Sequence, residues 1–458
     1  MKVSLASLVA LLALFFVHSC KDNSPTKPKD PPLEPKQTIG VTLVDTTCTE
    51  VWLKLSFLDS TTSKNFSLVR NNTTIYSGSC LAKDTIIIDF ERVPKTTYNY
   101  RARLLKNQQT IDSSNSIGVT TLDTTSHNYT WTTELLGEGY SLLRGVTIVN
   151  DTLVYAVGQM FKRDSTGRIK IEKPYCLAKW NGSSWTLKQL SYYNPDVIAG
   201  DPYGYLPEGY SIIVFGTNDI WIAAYSVFNW DGVSSQVVRS LSGIQLGSSV
   251  TKLWGTSRNN IYGVGPNGSI AHFDGTSWTK MESGTTVDLT DISGSPDGKE
   301  VWACGYETSD GSSVILRLKN GVWEKIWQLP YNPTIPFFDY DYRIGLWISS
   351  SQVISVGGGV YRHSLINHSF MRRDILNIQY FPRAGIAGSA KNNIAIAGDL
   401  GMVMHWNGVS WNLFENLLWP SGEMNLEIAM SDKLIIVVGV RDLEFPYYKG
   451  IVRIGRRQ

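Results

Sequence analysis

The chain has 458 residues, with 42 Lys and Arg against 40 Asp and Glu, for a formal net charge of +2. So even a balance sets up no field to hold nucleic acid or an anionic bilayer. Charged residues are 18% of the chain while Gly numbers 40, Trp 15 and Tyr 22, a mix that excludes disorder, coiled coil and most helical enzymes and predicts an all-β protein with many tight turns.

Residues 1–19 read as a signal peptide: Lys2 precedes the apolar run Val3–Val17, which is too short to span a bilayer. The following Val17-His18-Ser19-Cys20 resembles the lipobox of bacterial lipoproteins, with His18 where that pattern has a small residue. The resemblance implies cleavage before Cys20, acylation of Cys20, and a lipid-anchored, extracytoplasmic place at the outer membrane or cell surface. Lys21-Asp22 is similar to the surface-export signals of Bacteroidota-type lipoproteins. Residues 20–37 carry Pro25, Pro28, Pro31, Pro32 and Pro35, a semi-rigid polyproline spacer rising about 3.1 Å per residue.

Residues 38–123 read as short alternating strands. Val51, Leu53, Leu55 and Phe57 share one face, and further strands are expected at Phe66–Arg70, Thr85–Phe90, Thr97–Leu104 and Ile117–Leu122. This content suits an immunoglobulin-like sandwich. Pro94-Lys95-Thr96-Thr97-Tyr98 resembles the approach to the sixth strand of fibronectin type III domains, although Phe57 stands where that family keeps a core Trp. The resemblance implies a spacer or adhesion module. Cys48 and Cys80 lie within this unit and can pair in an oxidising compartment. Cys176 and Cys304 fall in later strands as buried thiols.

Residues 126–458 repeat. Anchoring on the apolar residue after an Asn-Asn-type turn gives Ile220, Ile261, Val301, Val353, Ile394 and Leu434, with an earlier unit centred on Leu153. Each unit holds four strand-like runs, a to d, in the third unit Thr251–Gly255, Asn260–Gly265, Ser269–Phe273 and Ser277–Met281. That is the content of one propeller blade, and seven units predict a seven-bladed β-propeller. The last unit lacks strand d, and Tyr129–Leu135 matches it, so an N-terminal strand is expected to close the ring. The repeat resembles exported bacterial propeller repeats of the form Trp-Gly-x-Ser-x-Asn-Asp-Ile … His-Trp-Asp-Gly-x-x-Trp, carried here by residues such as Trp254-Gly255 and Asp274-Gly275.

Few residues look chemical. His272 and His405 occupy a repeat position that elsewhere holds Lys179, Asn229, Arg317, Arg362 and Arg453, the mark of a structural polar site and not a metal shell. Ser293–Lys299 has the glycines of a phosphate loop but sits at an a–b turn without a following helix. Asp339 and Asp341 are the acidic pair that glycosidase chemistry would need. No catalytic residue, cofactor or metal is assigned.

The insertions carry the functional reading. In an up-and-down unit the b–c and d–a connections share one end. The long segments 159–175, 191–209, 306–312, 328–342, 374–383, 415–425 and 441–449 are all of these two kinds. They are rich in aromatics, and Tyr193, Tyr203, Tyr205, Trp327, Phe338, Tyr340, Tyr342, Trp419, Tyr447 and Tyr448 are the candidate ligand-binding residues. The expectation is a monomeric binding or adhesion protein taking a glycan or protein ligand on that face, with no nucleic acid and membrane contact through lipid alone. Two alternatives stand beside it: a carbohydrate-active enzyme (glycosidase, lyase or glycosyl-transferring) using loop carboxylates and Tyr, and a cell-envelope assembly scaffold.

Overall fold

The computed structural model describes residues 38–458 except 60, 195–202, 308, 330–342, 369–371, 375–380, 420–421 and 443–446. The signal peptide, Cys20 and the proline-rich segment lie outside the described residues, as do Phe338, Tyr340, Tyr342 and the Asp339/Asp341 pair. Among the described residues no helix is long and apolar enough to cross a membrane.

The first unit is a β-sandwich. Ile39–Thr46, Val51–Phe57 and Asp84–Asp89 form one antiparallel sheet. The second contains Thr73–Cys80, Lys64–Arg70, Thr97–Lys106 and Gln109–Ser113, with Ile117–Thr120 also paired to Thr97–Lys106. The alternation in Val51–Phe57 works as expected: Val51, Leu53, Leu55 and Phe57 enter one core with Phe66, Leu68 and Tyr100. The Tyr98 hydroxyl accepts the Val93 N–H at 3.0 Å, tying the start of its strand to the preceding loop. Cys48 and Cys80 do not pair. Both are free, the Cys48 thiol meeting the Asp123 carbonyl at 3.2 Å and Cys80 lying 3.6 Å from the carbonyls of Ala82 and Asp84. Cys48 faces the second unit, where a Cβ added at Gly408 would strike its Sγ, and burial pushes its thiol up to about 11.

From residue 129 onward the described strands form seven sheets of at least four strands, antiparallel throughout except where Ser191–Tyr193 pairs in parallel with Gln236–Leu241. In the third, Lys252–Ser257, Asn260–Gly265, Ser269–Phe273 and Trp278–Met281 follow one another as strands a to d. In the seventh, Glu423–Met430, Leu434–Asp442 and Tyr448–Arg457 are completed by Tyr129–Leu136, which pairs with the last strand from Gly450↔Leu136 to Arg457↔Tyr129. Apolar clusters lie between consecutive sheets all the way round. One of them joins Leu143, Val154 and Trp180 of the first sheet to Leu434, Ile436 and Val452 of the seventh. The arrangement is a β-propeller, with each innermost strand a packed on its neighbours.

The repeated Gly ending strand b has a steric reason. A Cβ at Gly265 or Gly305 would strike the Ser249 or Asp288 carbonyl, where the chain turns into strand a of the same sheet. The repeated Asp/Asn-Gly of the c–d turn is also structural. Asp274 Oδ1 accepts the N–H groups of Thr276 at 2.8 Å and Ser277 at 2.9 Å, and Gly275 follows with φ 97°. Asp231 and Asn407 do the same.

The sandwich docks at one end of the propeller. Asp45 pairs with Lys391, and Asn392 donates to the Asp123 carbonyl at 2.7 Å, both from the a–b turn of the sixth sheet. Thr125 N–H reaches the Asn407 carbonyl at 3.1 Å in the c–d turn of that sheet. Glu50 pairs with Arg362 of the fifth sheet. All but the last of these contacts use a–b or c–d turns, so the end bearing the b–c and d–a connections faces the other way.

Candidate ligand-binding site

At that opposite end the ring axis opens into a cavity of about 330 Å³. Its walls are Arg144, Thr251, Lys252, Asp291, Ile344, Gly385 and Glu427 on innermost strands or their first residues, with Pro266, Tyr306 and Phe381 from b–c and d–a connections and strand-b ends. Six of the seven sheets therefore contribute.

The charged groups are paired across the ring. Lys252 of the third sheet forms an ion pair with Glu427 of the seventh and lies 3.5 Å from Asp291 of the fourth. Asp291 in turn accepts the Leu346 N–H at 2.7 Å, fastening the fifth sheet. Burial pushes the Glu427 and Asp291 carboxyls above their ordinary values, and the Lys252 charge only partly opposes it. For Lys252 burial works against the ammonium, yet Glu427 and Asp291 outweigh it and its pKa is held above the usual lysine value. Nearby, Arg144 pairs with Glu208 and stacks its guanidinium 5.2 Å from the Tyr210 ring centre. The Tyr210 hydroxyl lies 2.6 Å from that of Tyr225 and 3.2 Å from Glu208, and burial with these neighbours raises its pKa. Arg383 pairs with Asp399 at 2.9 Å over the Phe381 ring.

No protein-family model matches the chain, and no curated protein matches it. Solved structures do resemble it. YCF48 bound to D1 peptide aligns with TM-score 0.49 at 15% identity, over 73% of this chain and 100% of that one. YCF48 from Cyanidioschyzon merolae aligns with TM-score 0.47 at 11% identity, over 71% of this chain and 98% of that one. The C-terminal WD40 domain of Sif2 gives 0.42 at 11%, over 70% and 98%.

The aromatics singled out in the sequence are not gathered at the axis. Tyr193, Tyr203 and Tyr205 belong to a hairpin, Ser191–Tyr193 with Tyr203–Tyr205, that adds to the outer edge of the second sheet through the pairs Ser191↔Gln236 and Tyr192↔Val237. Tyr193 and Tyr203 are 54% and 53% exposed, with ring centres 5.5 Å apart, above a surface groove that includes Gln236, Val238 and Arg239. Trp327 lies opposite Ile315 in strand d of the fourth sheet and packs on the cluster of Trp302, Leu346 and Val353, so its surroundings are core and not loop face. Strand d there runs on to Leu329, longer than in the third sheet, and takes Trp327 with it. Trp419 is 41% exposed beneath the Arg441 guanidinium, 4.5 Å away, in the connection to the seventh sheet. Tyr447 is 51% exposed in a b–c connection, and Tyr448 is half-buried at the start of the next strand.

The polar strand-c position is occupied structurally. His272 meets Asn260 at 2.9 Å and His405 meets Asn393 at 2.9 Å, in each case the residue opening strand b of the same sheet. Among the described residues no three His, Cys, Asp or Glu side chains gather to hold a metal ion. The axial residues are single charges in distant repeats, so no local motif marks them. The available signal was a charged residue before an apolar one at the start of strand a, as in Lys252-Leu253, Asp291-Ile292 and Glu427-Ile428.

Proposed function

We propose that the chain is a lipid-anchored, extracytoplasmic binding protein. In this reading a seven-bladed propeller, closed by its N-terminal strand and carried on a fibronectin type III-like spacer, presents its long-connection face to a protein partner. The observation that carries the reading is the opposition of the two ends. The sandwich occupies a–b and c–d turns of the sixth sheet through Asp45–Lys391 and Thr125–Asn407, while the axial cavity opens where the b–c and d–a connections lie. A chain tethered at Cys20 and spaced by its prolines would hold that cavity away from the membrane, toward whatever approaches. Binding suits the cavity better than hydrolysis, because Glu427 and Asp291 share Lys252 and neither is left as a lone acid or base.

The test is photo-crosslinking in intact cells with benzoylphenylalanine at Tyr447 on the loop face or at Val233 in a c–d turn. Discrete adducts at 447 and none at 233 are expected; equal capture at both positions contradicts a one-sided binding face. Metabolic labelling with a fatty-acid probe, abolished by Cys20→Ser, tests the anchor.

A second reading rests on the Tyr193–Tyr203 pair. Two rings more than half exposed beside Gln236 and Arg239 are suited to stacking on a sugar. Loss of glycan-array binding on Tyr193→Ala with Tyr203→Ala would support it.

A further inference from the structure

The axial cavity has a specific electrostatic character. Each of its cations is already committed: Arg144 to Glu208, Arg383 to Asp399, and Lys252 to Glu427 and Asp291 together. Lys252 thus offers one positive charge to two carboxylates. A further wall residue, Asp288, accepts the Asn267 N–H at 2.8 Å and meets no cation among the described residues. The walls carry three cations (Arg144, Lys252, Arg383) and three acids (Asp288, Asp291, Glu427), and the partner acids Glu208 and Asp399 behind them leave negative charge in excess.

Three of the seven long connections at the same end share this bias, whereas segment 159–175 carries five cations against two acids. Segment 191–209 contains Asp196, Asp201 and Glu208, segment 306–312 contains Glu307 and Asp310, and segment 328–342 contains Asp339 and Asp341, with no Lys or Arg in any of the three.

We infer that the axial cavity takes the guanidinium or ammonium end of an Arg or Lys side chain from the partner polypeptide. This rests on the binding reading above and names the chemistry of the ligand. The volume of about 330 Å³ is at the small end for ligand clefts and fits a single long side chain. The rings of Tyr306 and Phe381 in its wall supply the apolar and cation–π surface that the stem and head of such a side chain use. Asp288 supplies the uncommitted counter-charge.

The test uses the full-length protein in detergent and titration calorimetry with four probes: N-acetyl-argininamide, the amide of N-acetyl-glutamate, N-acetylglucosamine and calcium chloride. Binding of the arginine probe, lost on raising the salt and weakened about tenfold in Asp288→Asn, is expected. Asn keeps an acceptor for the Asn267 N–H, so the fold is retained, and Asp288→Glu, which keeps the charge, should hold affinity near the original value. Preferential binding of the glutamate probe, of the sugar or of calcium, or equal affinity in Asp288→Asn, overturns the inference. If none of the probes binds while crosslinking at 447 persists, the cation inference falls and the binding face stands. If crosslinking at 447 is also absent, both fall.

Discussion

Glu50 of the sandwich holds Arg362 of the propeller as Glu300 holds Arg317 within it. Glu300 grips Arg317 through both oxygens at 2.9 and 2.6 Å and also accepts Trp302 Nε1 at 2.9 Å. Glu50 grips Arg362 at 3.0 and 3.3 Å and accepts Trp52 Nε1 at 3.1 Å. In the fifth sheet strand b opens with the neutral Gln352, so Arg362 finds its acid outside its own sheet. The sandwich thus supplies the missing half of a propeller repeat interaction, which makes the docking directional.

Replacing Arg362 by Met should leave the Glu50 carboxylate, 7% exposed, without its cation. The expected cost is about 2 kcal/mol of coupling between the units. It is read as a separate low-denaturant transition of the sandwich and an increased radius of gyration by solution scattering. Glu50→Gln in the same chain should add little to the Arg362→Met effect. Additive losses would mean that the two residues do not act as a pair.

The His405 imidazole gives the propeller an acid limit. It is fully buried, lies 2.8 Å from the His127 ring through the Nδ1 atoms, and faces Arg457. Burial first, then His127 and Arg457, pull it down to about 3. The unfolded chain takes up this proton near pH 6.5 and the folded one only near pH 3, so the stability it contributes is whole above pH 6.5 and is lost as pH falls between those values. The slope for this one group is about 1.4 kcal/mol per pH unit. Urea midpoints at pH 7 and pH 5 measure it, and His405→Asn should flatten the difference because Asn229 already serves at the equivalent position. An unchanged pH slope in that variant would assign the acid sensitivity elsewhere.

Local patterning made the repeats readable and left the site hidden, and particular residues show why. Asn260–Gly265 and Ser269–Phe273 are strands over the residues the turn signals bracket, because Asp274 and Gly275 impose the c–d turn by their own hydrogen bonds and φ. Periodicity of two likewise put Val51, Leu53, Leu55 and Phe57 on the buried face. The axial pairing of Lys252 with Glu427 spans 175 positions and depends on ring geometry that no local pattern encodes. The length of their connection alone points the tyrosines at 193, 203 and 205 to the loop face. The chain instead spends that length on an edge hairpin, since the open side of Gln236–Leu241 offers backbone partners that solvent does not.

Along its paired length the closing strand leaves no room for a side chain at Gly455 of its neighbour. Gly455 is paired with Trp131, and a Cβ added at Gly455 would fall 2.7 Å from the Trp131 ring. Gly455→Ala should therefore cost about 1–3 kcal/mol by overpacking. Trp131→Ala, which also strips the contact with Phe414 at 5.0 Å between ring centres, should cost about 3 kcal/mol alone. The double variant should be less destabilised than the sum, because the small side chain at 131 makes room for the new methyl. Chemical denaturation of the four chains supplies the cycle, and strict additivity would separate Gly455 from the closing strand.

The last prediction concerns the ion cluster at the axis. Lys252→Met removes the cation that pairs with both Asp291 and Glu427, two carboxylates whose pKa values already stand raised by burial. At pH 8 both must stay charged or one must bind a proton against the solvent, and the expected loss is about 3 kcal/mol. A carboxyl raised further by the change binds its proton in the folded chain before the unfolded one does. The variant should therefore recover stability relative to the parent as pH falls from 8 toward 5, opposite in sign to the His405 effect. Adding Glu427→Gln should restore part of the loss at pH 8 by leaving a single acid, and should shrink the recovery on acidification. Parallel pH profiles for the parent and Lys252→Met would show that the lysine charge is not what holds these carboxylates, and the cavity would then be less negative than its residues imply.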